Sequence, residues 1–399
     1  MIDRAQSGGL TILRVASSLY PEKMGGVGLH THTMSKMQAE MGHDVTVLTS
    51  DNGDRSLTRE ERRDGYRLIR HREVARPIEN TITPGLVPTL REEIPHCDVL
   101  HIHSHLYFSS SVAACFARAY GVPTVLTNHG LVSQTAPGWL QKSFNSTLGS
   151  FTFESAGRIL CYTETDRRRL LQQGIETDIS VISNGIDCSE FRPLELHSNR
   201  ELLFVGRLAE GKGPQYLIDA FARVSADYPA LGLKLIGEGP MRGELERRIE
   251  TLGLSDRVEL IGEVANHELP SHYNESLAFV LPSLSEGMPR TLMEAMACGL
   301  PVVTSDLEQL RPVVDGLGYT AESGSSKELE RAIRTLLETE DLAALGRRAR
   351  KRAVEDFSWQ ETVERTVEEY YAVIDESSDA DSRRATPIRT VTQAEERLS

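Results

Sequence analysis

The sequence has no apolar run that approaches the roughly 20 residues of a membrane-spanning helix. It also lacks the features of a signal peptide, because the stretch before Leu10 is polar and the apolar segment that follows ends at Tyr20-Pro21. These absences predict a cytoplasmic protein.

Metal-binding cysteine patterns are missing as well. The five cysteines are odd in number, scattered and without metal-ligand spacing, which predicts reduced thiols. A surplus of positive charge is likewise absent, and the formal net charge of -14 disfavours nucleic acid as a general partner. What the chain does have is length, since 399 residues suffice for two domains that each bury a core.

The first half of the chain alternates between predicted strands and predicted helices. A buried strand at residues 10–16 leads into the turn Gly25-Gly26-Val27-Gly28, which is followed by a helix from Leu29 to Met41 and a strand at residues 44–49. Further strands are predicted at residues 99–103, 124–127 and 158–162, with a crossover helix at residues 109–120. This order is typical of a parallel, doubly wound α/β sheet.

The second half repeats this pattern after a polar stretch that ends at Arg200. Strands are predicted at residues 201–206, 233–237, 258–261, 278–281 and 302–304, and helices at residues 215–225, 241–252, 326–338, 341–356 and 360–374. We therefore predict a second α/β sheet. A ligand between two such sheets would contact the carboxyl ends of strands in both.

The stretch from Ser285 to Pro301 holds two carboxylates in an unusual setting. Pro289 suits the first turn of a helix and Gly299 its end, so Glu286 precedes a helix N-terminus, where free N–H groups favour an anionic ligand. Glu294 lies in a helix that is apolar on most sides, and a buried carboxylate needs a ligand hydroxyl or a cation as partner. The alternative is that Glu286 caps the helix and Glu294 lies on a narrow wet face.

Two cations follow the first strand of the second predicted domain. Arg207 and Lys212 are five residues apart at its carboxyl end. A forked guanidinium and a point-charge ammonium together suit a diphosphate. A solvated basic loop is the alternative, but this loop shares a predicted domain edge with Glu286 and Glu294.

Glycines occupy two further strand-to-helix connections. Gly25 and Gly26 lie where glycine lets backbone approach a phosphate closely, although their spacing is not that of a dinucleotide-binding motif. Gly237 and Gly239 would bring backbone close to a base or a ribose, and an ordinary turn explains them equally well.

Histidines occur at strand ends in the first domain. His129 ends a predicted strand and would point into the cleft as a donor to a sugar hydroxyl or a polar transition state, although a lone histidine is usually structural. His101, His103 and His105 alternate along another strand. Because no cluster of carboxylates or thiols accompanies them, we predict no metal site.

Residues 55–76 are rich in arginine. We expect a solvated surface here. The alternative is that the segment faces anionic lipid at the inner face of a membrane, or a charged acceptor.

Taken together, these residues resemble the retaining glycosyltransferases of family 4. That family has the GT-B fold, in which two Rossmann-like doubly wound domains face each other across a cleft. The resemblance runs from about Thr11 to about Trp359. Its most specific part is the pair of glutamates separated by seven residues, in Glu286-Gly287-Met288-Pro289 and Glu294-Ala295-Met296.

The resemblance implies a role for each of these residues. Glu286 would contact the donor sugar and Glu294 the ribose hydroxyls. Arg207 and Lys212 would hold the diphosphate, and His129 matches the family's cleft histidine. The predicted catalytic residues are thus His129, Glu286, Arg207 and Lys212, and the predicted donor-binding residues are Gly25, Gly26, Arg207, Lys212, Gly237, Gly239, Val264, Glu286, Gly287, Met288, Pro289 and Glu294.

The domain organisation follows from the same resemblance. Residues 1–187 would form the acceptor-side domain and residues 188–358 the nucleotide-sugar-binding domain. A helix over residues 359–375 would cross back to the first domain, and residues 376–399 would be a disordered tail. Arg290 departs from the family pattern, because a smaller or apolar residue is common at this position.

The implied reaction moves a hexose from a UDP- or GDP-linked sugar to a glycan, a lipid-linked acceptor or a small molecule. The family implies retention of the anomeric configuration. It also implies no cofactor and no metal, because fixed cations stabilise the departing diphosphate. The alternatives are an epimerase or a glycoside phosphorylase on the same fold, and a non-catalytic subunit that binds nucleotide sugars.

Overall fold

The computed structural model describes residues 8–23, 26–77, 80–130, 143–194 and 200–385. They form two compact units. The first takes in the described residues up to Leu160, Ile175–Ile179 and those from Arg365, and the second comprises Cys161–Gly174 and Ser180–Glu364. The predicted boundary between residues 187 and 188 lies inside the second unit, so the functional division into domains stays a prediction.

An eight-stranded sheet organises the N-terminal half. Its strands are β1 (Thr11–Val15), β2 (Asp44–Ser50), β3 (Glu60–Arg63), β4 (Tyr66–His71), β5 (Val99–His103), β6 (Thr124–Thr127), β7 (Arg158–Cys161) and β8 (Ile179–Val181), in the order β3-β4-β2-β1-β5-β6-β7-β8. The strands from β4 to β7 in this order are parallel, and β3 pairs antiparallel with β4. The described α-helices that precede β7 are α1 (Gly26–Glu40), α2 (Leu86–Glu93), α3 (Phe108–Tyr120) and α4 (Ser150–Glu154).

The strands at the centre of this sheet are buried because both of their faces are covered, although β5 carries His101 and His103 and β6 has a threonine at each end. Every residue of β5 and β6 is buried. This is the usual pattern for a parallel sheet with helices on both sides, and it made these strands predictable.

The arginine-rich segment is only partly the solvated surface that the sequence predicts. It contains β3 and β4, and Arg70 in β4 is buried. Arg63 and Arg70 lie 2.6 and 2.5 Å from the same carboxylate oxygen of Glu22. Burial would raise the pKa of Glu22, but hydrogen bonds from both guanidinium groups outweigh it and lower the pKa to about 2. Much of the positive charge of this segment is therefore neutralised internally.

A second, all-parallel sheet organises the C-terminal half. Its strands are β9 (Glu201–Val205), β10 (Gly232–Ile236), β11 (Val258–Gly262), β12 (Ala278–Leu281), β13 (Val302–Ser305) and β14 (Gly318–Ala321), in the order β11-β10-β9-β12-β13-β14. The helices that follow α4 in the chain are α5 (Glu164–Gln172), α6 (Pro214–Asp227), α7 (Arg242–Thr251), α8 (Leu269–Glu275), α9 (Arg290–Ala297), α10 (Arg311–Val314), α11 (Ser326–Leu337) and α12 (Leu342–Phe357).

Two apolar cores cover the two faces of the second sheet. Leu203 and Val205 of β9 pack into the core that contains α9, whereas Leu202 and Phe204 pack into the core on the other face. Alternate side chains of a strand point to opposite faces, so an unbroken apolar strand supplies both cores.

The last helix, α13 (Trp359–Ala385), is longer than predicted. It continues past residue 374, so the first part of the segment predicted as a tail is helical, and residues 386–399 lie outside the described part. No glycine or proline interrupts the segment before Pro387, and Arg158 contacts Glu376 at 2.6 Å. A helix can therefore continue there without an apolar stripe. Within the described residues, no helix is both long and apolar enough to cross a bilayer.

Helix α12 passes very close to the end of α9. A Cβ atom at Gly346 would lie 2.0 Å from the carbonyl oxygen of Gly299, which is backbone and cannot move aside cheaply. We predict that Gly346→Ala lowers the free energy of unfolding by about 1–3 kcal/mol, as overpacking does, measured by urea denaturation.

The matched control is Gly243→Ala in α7. This glycine is also helical, but its Cβ position has no neighbour within 4 Å. Alanine should be neutral there or raise the free energy of unfolding by up to about 1 kcal/mol. Equal destabilisation by both substitutions would contradict the packing argument.

Candidate active site

The predicted donor-binding residues of the second unit lie along one edge of its sheet. Strands β11, β10, β9 and β12 are neighbours and run parallel, so their carboxyl ends share this edge. The loop after β9 carries Arg207 and Lys212, the loop after β10 carries Gly237 and Gly239, the loop after β11 carries Val264, and the loop after β12 leads through Glu286, Gly287, Met288 and Pro289 into α9.

The loops after β9 and β12 touch through their backbones. Gly213 has a φ of +69°, and a Cβ atom there would lie 2.1 Å from the carbonyl oxygen of Pro282. The N–H of Leu284 donates to the carbonyl of Gly211 at 2.9 Å. Only glycine at residue 213 lets the two loops come this close. Their close contact brings Lys212 to the loop that carries Glu286, the predicted catalytic glutamate.

Glu286 is held from two directions. Lys212 Nζ and Ser283 Oγ both donate to its Oε1, at 2.6 and 2.7 Å, and Gln309 Nε2 donates to its backbone carbonyl at 2.5 Å. The side chain is only 7% exposed. Since Pro289 is the N-cap residue of α9 and no side chain caps that helix, the alternative role of Glu286 as a cap is wrong. Within the described chain, nothing hydrogen-bonds Oε2.

Glu294 is buried in α9, as predicted, and its partners are a phenol and a guanidinium. Tyr273 OH donates to Oε2 at 2.9 Å, and Arg290 Nη2 lies 3.6 Å from Oε1. Burial raises the pKa of Glu294, while Arg290 and Tyr273 oppose the rise. The wet-face alternative is therefore wrong. The cation that a buried carboxylate requires is Arg290, the residue that departs from the family pattern.

Arg207 stays uncompensated. Its side chain is exposed, and in the described ranges it forms no ion pair and no side-chain hydrogen bond. Arg207 lies at the same edge of the sheet as Lys212. The ammonium of Lys212 is paired with Glu286, whereas the guanidinium of Arg207 is open to a ligand.

The glycines after β10 have a structural reason to be glycine. A Cβ at Gly237 would lie 2.0 Å from the Gly206 carbonyl oxygen, and one at Gly239 would lie 2.3 Å from that of Leu208. This packing explains the glycines, so their contact with a nucleotide stays a prediction. Of the other predicted residues, Val264 and Met288 are partly buried against the core, Gly287 is exposed, Gly26 begins α1, and Gly25 lies outside the described residues.

In the first unit, His129 follows β6 and keeps part of its surface exposed. Its Nε2 lies 3.0 Å from Nδ1 of His103, and the His30 ring from α1 meets it edge-on at 5.1 Å between centroids. One ring nitrogen from each of these three histidines lies within 4.8 Å of the other two. The strand pattern drew attention to His101, His103 and His105, but the fold groups His103 with histidines from two other segments.

The surroundings of His101, His103 and His129 favour the neutral imidazole. Burial lowers the pKa of His129, His103 and His101 well below the usual value, and nearby imidazoles, together with Arg14 for His101 and His103, add to the effect.

Sequence reasoning missed several residues that hold the site in place. Tyr273 and Gln309 lie more than ten residues from Glu286 and carried no signal, and His30 lies two residues after Gly28 in a predicted helix where nothing marked it. Ser283, three residues before Glu286, was close enough to be considered.

Comparison with solved structures gives the fold. The chain is similar to sucrose-phosphate synthase from Thermosynechococcus elongatus, with a TM-score of 0.72 and 19% identity over 92% of this chain and 100% of that one. It is also similar to HepE of Anabaena in complex with UDP and glucose, with a TM-score of 0.70 and 19% identity over 94% and 100%. The protein therefore has the GT-B fold of glycosyltransferases.

Sequence comparison gives the family. Residues 24–190 match Glycosyltransferase Family 4, and residues 189–352 match Glycosyl transferases group 1. Glycogen synthase of Mycobacterium tuberculosis is 30% identical over 91% of this chain and 95% of its own length. D-inositol 3-phosphate glycosyltransferase of Geodermatophilus obscurus is 30% identical over 91% and 88%, and the phosphatidylinositol N-acetylglucosaminyltransferase gpi3 subunit of Schizosaccharomyces pombe is 26% identical over 91% and 81%. The chain belongs to glycosyltransferase family 4, and it is an enzyme of that kind, which confirms the resemblance.

The depressed histidine pKa values predict acid sensitivity. Among the described residues, a lowered pKa is found for His32, His43, His71, His101, His103 and His129. Below about pH 6.5 the unfolded chain binds protons that the folded chain does not, so the free energy of unfolding falls as pH drops. We expect a loss of a few kcal/mol between pH 7.5 and 5.5, read as a lower urea midpoint.

The control is His71→Phe, since the pKa of His71 is lowered to about 4. This variant should lose less stability over the same interval. A midpoint that stays constant or rises at pH 5.5 would contradict the assignment of neutral buried imidazoles.

Proposed function

We propose that this chain is a retaining, metal-independent hexosyltransferase that uses a nucleotide diphosphate sugar. The observation that carries the proposal is the contact of 2.6 Å between Lys212 and Glu286, just before the N-terminus of α9. It joins a cation suited to phosphate and a carboxylate suited to sugar hydroxyls at one point of the sheet edge.

The diphosphate would lie against Arg207, Lys212 and the first turn of α9. Arg207 already has its guanidinium exposed, and free N–H groups at a helix N-terminus favour an anion. A diphosphate that attracts Lys212 would release Oε1 of Glu286, which then accepts a hydrogen bond from a hydroxyl of the donor sugar. The same fixed cations would stabilise the leaving diphosphate without a metal ion.

Glu294 would bind the ribose. A buried carboxylate gains from two hydroxyl donors because it has lost its contact with water. Arg290 favours the ionised form that accepts those hydrogen bonds, since it opposes the effect of burial on the pKa of Glu294. Gly237, Gly239 and Val264 would lie against the base and the ribose.

The first unit would supply Gly25, Gly26 and His129. In this proposal the glycines complete the phosphate cradle, and His129 donates a hydrogen bond to the transferring sugar. An oxygen of the departing phosphate would take the proton of the acceptor, which accounts for retention of configuration.

Similarity does not choose the acceptor or the base. The three relatives are named for glycogen, inositol phosphate and phosphatidylinositol, which represent a glycan, a small molecule and a lipid-linked acceptor. We propose a UDP- or GDP-linked hexose as donor and a cytoplasmic location, with contact to the inner face of a membrane only if the acceptor is a lipid.

The test starts with donors. UDP, GDP and ADP sugars are screened by thermal shift and then by donor hydrolysis, and the active donor is offered with one acceptor of each class. Product formation in excess EDTA, with retained anomeric configuration by NMR, supports the proposal. Turnover that needs inorganic phosphate, or isomerised donor without acceptor, would identify a phosphorylase or an epimerase instead.

We predict that Lys212→Gln lowers kcat/KM by roughly 10²- to 10³-fold, because it removes a charge that stabilises the leaving group. The matched control is Lys234→Gln. Lys234 also forms a close ion pair, 2.7 Å from Glu201, but it lies on β10 away from the strand ends. Steady-state kinetics should leave the control near the wild-type value, and similar losses in both variants would count against the role of Lys212.

We predict that Glu294→Gln weakens nucleotide binding about ten- to a hundredfold, because a neutral amide is a poorer acceptor for ribose hydroxyls. Titration calorimetry with the nucleoside diphosphate measures this. Glu259→Gln is the control, since Glu259 is exposed on β11. Unchanged nucleotide affinity and turnover in Glu294→Gln would exclude the assigned role.

A further inference from the structure

His129 is the one predicted catalytic residue of the first unit, and its ring is fixed by two other histidines. The rings of His30 and His129 are nearly perpendicular, at 86°, and the rings of His103 and His129 lie 5.3 Å apart between centroids. Of these contacts, the 3.0 Å hydrogen bond between His103 Nδ1 and His129 Nε2 has a direction, because only one of the two nitrogens can carry the proton.

The ring of His101, which stacks on His103, is held by hydrogen bonds that begin at a buried cation. Arg14 is fully buried, and its Nη2 donates to Tyr370 OH at 3.0 Å. The hydroxyl of Tyr370 is therefore free to donate to His101 Nδ1, 2.5 Å away, so His101 carries its proton on Nε2 and donates to Thr127 Oγ1 at 2.7 Å. The His101 ring then stacks on His103 at 4.4 Å, with 29° between the planes.

A metal ion is a poor explanation for the three clustered histidines. Two of them already share a hydrogen bond, which a metal would have to break. The guanidinium of Arg14 next to His101 also disfavours a second positive charge beside this group.

The direction of the His103 to His129 bond follows from the other nitrogen of His103. His103 Nε2 is buried and has no hydrogen-bond partner in the described chain. A buried N–H without an acceptor is costlier and rarer than an acceptor with an unused lone pair. The proton of His103 therefore belongs on Nδ1, where it is donated to His129.

We propose that His103 is a positioning residue for the glycosyl transfer: by donating from Nδ1 to Nε2 of His129, it holds that ring in one orientation and places its proton on Nδ1. His129 then presents an N–H donor rather than a bare lone pair. This deepens the proposed function and rests on it, since the group that receives the N–H is a hydroxyl of the transferring sugar.

The test compares two replacements of His103. His103→Phe keeps a flat ring that can stack on His101 but removes both nitrogens. His103→Asn loses ring volume but places an N–H donor near the position of Nδ1. The matched control is His105→Phe on the same segment, because His105 stacks on Phe153 and not on His129.

With the donor found in the screen, His103→Phe should lower kcat roughly ten- to a hundredfold while the donor KM stays within about twofold. His103→Asn should recover a large part of kcat despite its poorer packing, and His105→Phe should stay near wild type. Equal activity of the Phe and Asn variants, or a loss in His105→Phe as large as in His103→Phe, would overturn the proposal.

A second measurement is made on protein in which His103 is unchanged. Nitrogen NMR of histidine-labelled wild-type protein reports the protonation of each ring nitrogen, and the His129 signals are assigned by their loss in His129→Gln. We expect protonated Nδ1 and bare Nε2, and the opposite tautomer would overturn the proposal. A protein that shows the expected tautomer but transfers no sugar would refute the proposed function while leaving the hydrogen-bond direction intact.

Discussion

The candidate donor site depends on one close backbone contact, where Gly213 meets the carbonyl of Pro282. Parallel strands bring many loops to one edge, but only loops that touch can hold a cation and a carboxylate within hydrogen-bonding distance. Lys212 and Glu286 are far apart in sequence, and neither would be within reach of the other if a side chain stood at residue 213. The chemistry of the site thus rests on the absence of a methyl group.

The candidate donor site of the second unit and the histidine cluster of the first unit accommodate buried polar groups in different ways. In the second unit, charges are matched: Lys212 faces Glu286, and Arg290 faces Glu294. In the first unit, neutral imidazoles are linked by directed hydrogen bonds around the guanidinium of Arg14. Matched charges can exchange partners when an anionic ligand arrives, whereas a directed hydrogen-bond array defines which atom donates. The first arrangement suits binding and the second suits orientation.

The alternating order of strands and helices could be read from the sequence because the buried parallel strands are rich in apolar residues. The sequence did not indicate β3 and β4, because β3 consists only of glutamate and arginine, and β4 has Arg67 and Arg70 among its buried residues Tyr66, Leu68 and Ile69. Glu286 and Glu294 were recognisable because their spacing belongs to a family motif. The partners Tyr273 and Gln309 and the grouping of His30 with His103 and His129 depend on tertiary contacts between distant segments, which no local periodicity encodes.

The buried guanidinium of Arg14 has a consequence for the evolution of this enzyme. In the described ranges no carboxylate pairs with Arg14, and its Nε makes no hydrogen bond. Burying this charge therefore costs free energy of folding. Replacing Arg14 with an apolar side chain would nevertheless leave Ser35 Oγ, Gln38 Oε1 and Tyr370 OH buried without this donor, and a buried polar group that loses its partner is costly. We therefore expect Arg14 to change in evolution only together with changes among these three partners, because each substitution alone would destabilise the protein.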